Sequence, residues 1–572
     1  MQTESFIPGK DASLESTIST MTQKLATRGF YMEESLWLNP VVGIWSVHVR
    51  DKECPMLFAN GQGASELAAR ASALGEFFER LECHYFWTHF YLGETRANRP
   101  FVHYAQERWF APSEDGSWPR GLLNEELLAF YDPQGEIGDE VMVDLNSGNV
   151  DRGICALPYL RLSDGEQTWF PVNLIGNLYV SNGMAAGNTE LEARSQALSE
   201  ILERHIKYRV IAEGMCLPEV PDEVIARYPG IAAGIKGLRE AGFGILVKDA
   251  SLGGRYPVMN VTLLHPKDQG VFASFGAHPR FEIALERALT ELLKGRALDS
   301  LEHFPEPGFD MDEITAVANL EIHFVDSSGV ISWNFMGDKP DFPFADWNFS
   351  TTTQEDYAWL VNCIQAEDRE IYIADFAELG VYSCRILVPG MSEIYPVEDL
   401  EWENNSVGND IRPAMVRLPD LSDEECSELL DDLQTLNLGD DRPLWEILGL
   451  AVPLGTPWKE LRIGELKTLL ALAIGDEDAI REGCDWIHHY RQLSQPRRLV
   501  YRCIENLLSL DESGEYHRSL ALLYGSETLR QAQALLAREE RFFGLFKLGP
   551  DMEGSEIHGK LLAAYDKVLG TA

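Results

Sequence analysis

The chain has 572 residues, of which 45% are hydrophobic and 24% are charged. This composition is ordinary for a folded globular protein, and the length allows more than one domain. The formal net charge of −43 disfavours non-specific binding to nucleic acid or to an anionic membrane surface. It would help to recruit a basic partner, although an acidic surface more often serves only solvation.

Targeting and cysteine patterns both favour a cytoplasmic protein. The first residues, MQTESFIPGK, contain no cationic segment followed by an apolar one, so a secretory signal is not expected. No uninterrupted apolar run reaches the ~20 residues that a membrane span needs. The nine cysteines form no CxxC pair, which argues against a zinc ribbon, a disulfide framework or an Fe–S loop. Cys83 and His84 are adjacent, but sequence neighbours on a helix point apart, so they are not predicted to act as a nucleophile and its base.

Strand-like and helix-like segments are mixed over residues 1–403, which predicts an α+β (mixed α/β) domain. Segments rich in Val, Ile and aromatic residues predict strands over 43–49, 244–249, 257–264, 270–277, 370–376 and 382–388. Apolar residues spaced by three and four predict helices over 65–90, 189–213 and 280–298.

The remaining chain has a different pattern. Residues 404–423 are rich in Asn, Asp and Pro, which predicts a linker. Residues 424–572 predict an all-α domain, in which RIGELKTLLALAIGDEDAIREGCDWIHHY indicates two helices joined by a tight turn at Gly475 and Asp476. Such a hairpin is typical of tetratricopeptide (TPR-like) repeats. Because the repeat is imperfect, an irregular helical bundle is an equal alternative.

Carboxylates and arginines recur on one side of each of three predicted helices. Successive residues of a helix are rotated by about 100°, so the members of the first set below lie within an arc of about 100°. Most members of the second set lie within a similar arc, and the third set is an i,i+4 pair. The sets are Ser72, Glu76, Glu79 and Arg80; Glu192, Gln196, Glu200, Glu203 and Arg204; and Arg287 and Glu291. Six carboxylates converging without cations would repel, so the pattern indicates divalent metal holding a polyphosphate.

Two observations bear on this interpretation. Any one set taken alone is better explained by surface salt bridges, each of which contributes roughly a few tenths of a kcal/mol to stability. The recurrence on three helices argues against that explanation.

Ordinary nucleotide motifs are missing: no GxxxxGK[ST] loop occurs, GQGAS at 61–65 is only a fragment of a dinucleotide fingerprint, and no kinase motif set is present.

The three motifs, SxxxExxER at 72–80, ExxxQxxxExxER at 192–204 and RxxxE at 287–291, resemble those of the YcaO family of ATP-using enzymes. The similarity to the family runs over nearly the whole chain, including the segments SFIPGKDASLE and IGNLYVSNGM. The resemblance implies a YcaO-type domain that binds ATP without a P-loop, followed by a helical C-terminal part.

The resemblance also implies roles for individual residues. Six glutamates would hold Mg²⁺: Glu76, Glu79, Glu192, Glu200, Glu203 and Glu291. Eight side chains would contact the nucleotide: Lys10, Thr17, Ser72, Arg80, Asn188, Gln196, Arg204 and Arg287. Thr17 keeps a hydroxyl where the family has a serine, whereas Ala185 stands at another serine position and loses one hydrogen bond.

Family chemistry is ATP-dependent activation of a backbone amide, whose oxygen attacks the γ-phosphate before a nucleophile displaces the phosphorylated oxygen. The resemblance further implies an accessory role in β-methylthiolation of an aspartate of a small-subunit ribosomal protein. A radical-SAM methylthiotransferase would be the partner, since this chain lacks that enzyme's three-cysteine loop. Azoline-forming relatives end in a Pro-rich tail, whereas this chain ends YDKVLGTA, so azoline formation is not expected.

Two other interpretations stay open. The chain could be a nucleotide-controlled binding protein that recruits a client through its helical domain, where a homodimer is also conceivable. Alternatively, the glutamates could be a structural ion-pair network in an inactive enzyme. The sequence identifies neither the nucleophile nor a general base.

Overall fold

The computed structural model describes residues 4–402, 404–490, 493–510 and 513–570. The N-terminal part is α+β, as predicted, and its strands pair antiparallel in three sheets ordered β1-β2-β3, β10-β9-β8 and β4-β5-β11-β12-β7, with β6 added beside β5. The strands are β1 Met32–Val41, β2 Ile44–Asp51, β3 Phe58–Gly63, β4 Arg108–Phe110, β5 Ile154–Arg161, β6 Gln167–Pro171, β7 Met184–Gly187, β8 Gly244–Asp249, β9 Val258–Leu264, β10 Val271–Ala277, β11 Tyr372–Phe376 and β12 Tyr382–Leu387.

The longer helices cover the sheets in the N-terminal part and make up most of the described C-terminal part. The N-terminal helices are α1 Leu14–Thr27, α2 Glu66–Glu82, α3 Glu125–Tyr131, α4 Glu190–Ala212, α5 Pro229–Glu240, α6 Phe281–Leu292, α7 Val317–Val325 and α8 Thr353–Gln365. The C-terminal helices are α9 Gly408–Met415, α10 Asp423–Thr435, α11 Ile463–Ile474, α12 Glu477–His489, α13 Gln495–Ser509, α14 His517–Tyr524, α15 Ser526–Leu536 and α16 Glu556–Leu569.

The six predicted strands are confirmed as β2, β8, β9, β10, β11 and β12, with ends that differ by at most two residues. Two predicted helices were too long. The helix predicted over 65–90 ends at Glu82, where His84 takes a left-handed backbone conformation with φ 54° and a 3₁₀ turn follows at Tyr85–Trp87. The helix predicted to reach residue 298 ends at Leu292.

Glycines allow the helices that carry the glutamates to lie close to their sheets. A Cβ atom at Gly61 of β3 would stand 2.1 Å from the carbonyl oxygen of Ala69 in α2. Likewise, a Cβ at Gly276 of β10 would stand 2.3 Å from the backbone nitrogen of Ala288 in α6. The GQGAS segment is therefore a close-packing feature of β3 rather than part of a dinucleotide fingerprint.

The C-terminal part is helical, as predicted, and the turn between α11 and α12 is confirmed at Gly475, whose φ is 82°. Asp476 then caps α12 by accepting a hydrogen bond from the backbone of Ala479. The tetratricopeptide type of this hairpin stays a prediction. None of the helices in the described ranges is both long and apolar enough to cross a membrane.

The segment 404–423, whose composition predicted a linker, holds α9 and two 3₁₀ turns and contributes to the helical core. Ile411 and Met415 in α9 are fully buried. Three polar residues of this segment, Asn404, Asn409 and Arg412, are buried as well, so its polar composition does not make it an exposed one. The division into ranges 1–403 and 424–572 stays a prediction.

Candidate functional site

A cavity of about 390 Å³ lies where α2, α4 and α6 meet the N-terminal segment. Its lining includes all fourteen residues that the sequence singled out. They are Lys10, Thr17, Ser72, Glu76, Glu79, Arg80, Asn188, Glu192, Gln196, Glu200, Glu203, Arg204, Arg287 and Glu291. The structure therefore brings together side chains from four separate parts of the chain, while their individual roles stay predictions.

The lining is strongly charged and its charges do not cancel. Nine acidic side chains and five basic ones line the cavity, a formal excess of four negative charges if every group is ionised. The additional acids are Glu282, Glu286 and Asp356, and the additional base is Lys294. A triphosphate, itself polyanionic, would be repelled from this lining unless divalent cations accompany it.

Glu192, in the first turn of α4, is held by hydrogen bonds from the N-terminal segment. It is buried, and its carboxylate accepts hydrogen bonds from Lys10 Nζ at 3.1 Å, from the backbone N–H of Asp11 at 3.0 Å and from the amide of Asn188 at 3.0 Å. Thr17 Oγ1 in turn donates to the Asn188 amide oxygen at 2.9 Å. These contacts join Lys10, Thr17, Asn188 and Glu192 in one network at one end of the cavity.

The glutamates of α2 face a lysine that the sequence analysis missed. Glu76 lies between Arg80, at 2.6 Å, and Lys294, at 3.1 Å. Glu79 is different, because burial in the cavity wall and the charges of Glu200 and Glu76 raise its pKa well above its usual range. A carboxylate whose strongest charged neighbours are other carboxylates is suited to a metal cation.

Glu203 and Arg287 meet at the end of β10. The Glu203 carboxylate accepts a hydrogen bond from the backbone N–H of Ala277 at 3.1 Å, and Arg287 Nη1 donates to the Ala277 carbonyl at 3.1 Å. Burial raises the pKa of Glu203 to about 7, although the charge of Arg287 acts against that rise.

Two more predicted residues complete this region of the cavity. Arg204 pairs with Glu200 at 3.1 Å, and its guanidinium lies 4.4 Å from the ring centroid of Phe324. Glu291 accepts a hydrogen bond from Gln62. Burial opposes a lower pKa at Glu291, but Lys294 and this hydrogen bond outweigh it, so its pKa is lowered.

The oxygen donors that line the cavity fit magnesium. Across the described residues, no group of three acidic, histidine or cysteine side chains is arranged to hold a metal ion. The glutamates are instead paired with lysines and arginines, or raised in pKa as in Glu79 and Glu203. Hard carboxylate oxygens of this kind are the ligands that Mg²⁺ prefers, and a nucleotide's phosphate oxygens would supply the rest.

Some functional candidates were missed, and only one had a signal in the sequence. Lys294 follows Glu291 by three residues, the spacing of neighbours on the helix predicted over 280–298, although that helix ends at Leu292 and Lys294 lies just beyond it. Asp356 belongs to α8, and only the tertiary fold brings it to the cavity, where His278, which directly follows β10, lies as well. Ala185 is fully buried and is absent from the lining, so the serine position it occupies is not exposed to the cavity here.

The structure corrects the expected geometry of Cys83 and His84 while leaving their predicted lack of catalysis intact. Because α2 ends at Glu82, both residues lie beyond the helix and line a second cavity. Burial raises the pKa of the Cys83 thiol well above its usual range, so the thiolate that a nucleophile requires is disfavoured.

Comparison with protein families identifies the family to which a chain with this cavity belongs. Residues 60–392 match the family model of the ATP- and Mg²⁺-binding YcaO cyclodehydratase domain, and residues 408–571 match the YcaO cyclodehydratase C-terminal domain. The chain belongs to the YcaO family. ATP and Mg²⁺ are therefore the cofactors of its N-terminal part.

Two relatives are similar along nearly their full length. The chain is 48% identical to the ribosomal protein S12 methylthiotransferase accessory factor YcaO of Escherichia coli, over 99% of this chain and 98% of the relative. It is 45% identical to an uncharacterized protein of Haemophilus influenzae, again over 99% and 98%.

Solved YcaO structures are more distant. A YcaO from Methanopyrus kandleri, bound with AMPPCP and Mg²⁺, is 17% identical, with a TM-score of 0.39 over 69% of this chain and 94% of the other. A heterocyclase in complex with substrate and cofactor is also 17% identical, with a TM-score of 0.46 over 70% and 57%.

Proposed function

We propose that this YcaO-family chain uses Mg-ATP to activate a backbone amide by phosphorylating its oxygen. The observation that carries the proposal is the shared cavity, in which glutamates from three helices face arginines and lysines. Glu76, Glu79, Glu192, Glu200, Glu203 and Glu291 would hold Mg²⁺, which neutralises and orients phosphate oxygens. Lys10, Thr17, Ser72, Arg80, Asn188, Gln196, Arg204 and Arg287 would contact the nucleotide.

The chain's own residues account for binding and orientation of the triphosphate. Arg204 and Arg287 have planar guanidinium groups that suit phosphate oxygens as charge develops on them. The network of Lys10, Asn188 and Glu192 fixes the start of α4, whose first-turn N–H groups and dipole favour negative charge. With ATP held in this way, the amide oxygen of a substrate attacks the γ-phosphate and ADP leaves.

We further propose that this reaction, or the nucleotide-bound form, serves the methylthiolation of an aspartate in a small-subunit ribosomal protein. The support is the 48% identity to the ribosomal protein S12 methylthiotransferase accessory factor YcaO of Escherichia coli. The ribosomal protein and a radical-SAM methylthiotransferase would be the macromolecular partners. Such a role places the chain in the cytoplasm and does not require a homodimer.

Calorimetric titration of the protein with ATP in the presence of Mg²⁺ tests nucleotide binding. Glu203→Gln should weaken Mg-ATP binding by about tenfold or more, because the metal loses one carboxylate ligand. Glu213→Gln is the matched control, since Glu213 caps the exposed end of the same helix and forms a surface salt bridge with Arg209 at 2.9 Å. Equal affinity in wild type and Glu203→Gln would refute this use of the cavity.

The alternative function is recruitment of a client through the helical C-terminal part. Its specific support is a pair of apolar side chains on α14, since Leu522 and Leu523 are 79% and 76% exposed. A double Leu522→Ser, Leu523→Ser variant of the full chain should lose the methylthiotransferase in a pull-down while it retains ATP hydrolysis. Val325→Ser, at an exposed apolar residue of the N-terminal part, is the control. Retention of the partner by the double variant would exclude these leucines as the docking site.

A further inference from the structure

A third cavity, of about 390 Å³, lies between the β1-β2-β3 sheet and the segment that follows α6. We call it the sheet-face cavity. The backbone N–H of Gly295 in that segment donates to Ser46 Oγ of β2 at 3.2 Å, which holds the segment against the sheet. The volume lies within the range of about 300–1,000 Å³ that is usual for ligand pockets. The function proposed for the ATP cavity gives this space no role of its own.

Strand pairing places two rows of side chains on one face of this sheet. In the first row, Leu36 of β1, His48 of β2 and Asn60 of β3 stand opposite one another, and all three line the sheet-face cavity. In the second row, Ser46 lines the same cavity, whereas Gln62, its partner on β3, lines the ATP cavity. Because Leu36 is 50% exposed, this face leads from solvent to the edge of the ATP cavity.

Two polar contacts lie where the two cavities meet. Lys294 lines both cavities and pairs with Glu76 at 3.1 Å, and the side-chain amide of Gln62 donates to the Glu291 carboxylate. Glu76 and Glu291 are among the carboxylates that the proposed function assigns to Mg²⁺. A metal ion would compete with Lys294 and Gln62 for these carboxylates, and the N–H groups of both side chains would then be available to a ligand in the sheet-face cavity.

The charges of the sheet-face cavity disfavour a metal ion or a free anion as its ligand. No acidic residue in the described part of the chain belongs to its lining, so a metal ion would lack carboxylate ligands. Its two basic residues are paired with carboxylates outside it, Lys294 with Glu76 and Arg296 with Asp326 at 3.5 Å. The lining of the metal-free protein therefore has no unbalanced charge.

The remaining groups of the lining suit a peptide. His48 Nδ1 lies 2.8 Å from Asn60 Oδ1, and because an amide oxygen only accepts, the ring donates this hydrogen bond. A neutral His48 ring keeps Nε2 as an acceptor and Asn60 keeps its amide N–H donors, which together match the N–H and C=O groups of a peptide unit. Leu36 adds apolar surface for a side chain. Neighbouring strands lie about 4.8 Å apart, so the row from Leu36 to Asn60 spans about 10 Å, the length of an extended tripeptide.

We propose that the sheet-face cavity binds an extended peptide segment with an apolar side chain at Leu36, and that this segment presents its backbone amide to the ATP cavity beside Lys294 and Gln62. The inference rests on the proposed function, in which the amide oxygen bonds to the γ-phosphorus while the bond from that phosphorus to ADP breaks and ADP keeps the electron pair. Because Lys294 and Gln62 are engaged by carboxylates in the metal-free protein, the peptide should bind the protein loaded with Mg²⁺ and nucleotide more tightly than the free protein.

Photo-crosslinking of the full chain with the uncharged probe N-acetyl-alanyl-photoleucyl-alanine N-methylamide tests the site. Mass spectrometry should locate the label on β1, β2 or β3 around the cavity, and Mg-AMPPCP should increase this labelling by about fivefold or more. Asn60→Ala and Leu36→Ser should each reduce it by about fivefold, because the peptide loses one hydrogen bond or one apolar contact. Leu160→Ser is the matched control, since this leucine lies on β5 outside the lining, is 52% exposed and should leave the labelling unchanged.

Calorimetry with Mg-AMPPCP on the same proteins separates this inference from the proposed function. A wild type that binds no Mg-AMPPCP would refute the proposed function and, with it, the inference. If the wild type binds Mg-AMPPCP, labelling elsewhere on the chain, equal labelling in Leu36→Ser and Leu160→Ser, or labelling that is independent of Mg-AMPPCP would overturn the inference alone. Since Leu36 is half exposed, the Leu36→Ser variant is expected to fold, and the test does not depend on Asn60→Ala.

Discussion

Lys294 shows how single side chains keep an acidic cavity stable before any metal or nucleotide enters. It pairs with Glu76 at 3.1 Å and is the strongest charge that lowers the pKa of Glu291. Both partners of the Glu76 pair are largely buried, at 28% and 14% exposure, so the pair is worth more than an ordinary surface salt bridge. A lysine in this position takes the place of part of the positive charge that Mg²⁺ would otherwise supply.

Lys294→Met should therefore destabilise the metal-free protein by about 1–2 kcal/mol, because the neighbouring glutamates lose their cation. Mg²⁺ alone should then raise the melting temperature of the variant more than that of wild type, as measured by differential scanning fluorimetry with and without a chelator. Lys236→Met, which removes an exposed helix pair with Glu240, should change neither value. A smaller Mg²⁺ effect in Lys294→Met than in wild type would contradict this account.

The raised pKa of Glu203 predicts a pH dependence of metal binding. Its pKa of about 7 lies above the usual value of 4.5, so the carboxyl is protonated in a metal-free cavity at pH 6. Mg²⁺ requires the carboxylate, so binding must release this proton and should strengthen as the pH rises from 6 to 8.

The raised pKa of Glu203 has the opposite effect on the stability of the metal-free protein, which falls as the pH rises. The raised pKa means that protonation of Glu203 stabilises the metal-free fold fully below pH 4.5, and this contribution is lost as the pH rises through about 7. Calorimetry of Mg-ATP binding in two buffers with different ionisation enthalpies would measure the released proton. Glu203→Gln should release fewer protons than wild type, and an identical release would show that another group titrates.

At the level of elements, the fit of α2 against β3 decides where Glu76 and Glu79 lie. Because a Cβ at Gly61 would stand 2.1 Å from a carbonyl oxygen of α2, the helix cannot keep its position if any other residue replaces this glycine. Such overpacking forces a backbone shift. The glutamates of α2 would then move relative to those of α4 and α6.

Gly61→Ala should lower the free energy of unfolding by about 1–3 kcal/mol and weaken Mg-ATP binding. Chemical denaturation and calorimetry measure the two effects. Gly559→Ala is the control, because this helical glycine in α16 has open space around its Cβ position and alanine favours helix by about 0.5–1 kcal/mol. Unchanged nucleotide affinity in Gly61→Ala would show that the α2 position is not critical for the site.

The elements also show what the sequence could reveal. Helix periodicity located α2, α4 and α6 and placed their glutamates on common faces, because i,i+4 spacing is a local property. The end of α2 was missed, since no glycine or proline marks it and the left-handed conformation of His84 is supported by tertiary packing. Asp356 was missed for a related reason: only long-range folding brings α8 to the cavity. Lys294 was within reach, at i+3 from Glu291.

At the scale of the whole molecule, the last helix ties the helical C-terminal part to the α+β part. The carboxylate of Asp566 in α16 contacts two arginines near α2, Arg96 and Arg99, the latter at 2.8 Å. The hydroxyl of Tyr565 donates to the carbonyl of Val102 at 2.6 Å, and His558 contacts the carbonyl of Tyr91 at 2.9 Å. These contacts are buried or nearly so, which favours cooperative unfolding of both parts.

We therefore expect one calorimetric transition for the full chain. Asp566→Asn should lower the free energy of unfolding by about 1–3 kcal/mol, since Arg96 and Arg99 lose the charge of a largely buried carboxylate that they share, while Arg96 keeps its contact with Asp551 at 3.7 Å. Because α2 packs beside this junction, Mg-ATP should raise the melting temperature of the whole chain and not only that of the α+β part. Asp485→Asn, at an exposed residue of α12, is the control and should leave the transition in place. Two separate transitions in wild type, of which Mg-ATP shifts only one, would show instead that the helical part unfolds independently of the nucleotide site. In that case nucleotide binding could not influence a client that is held by the helical part.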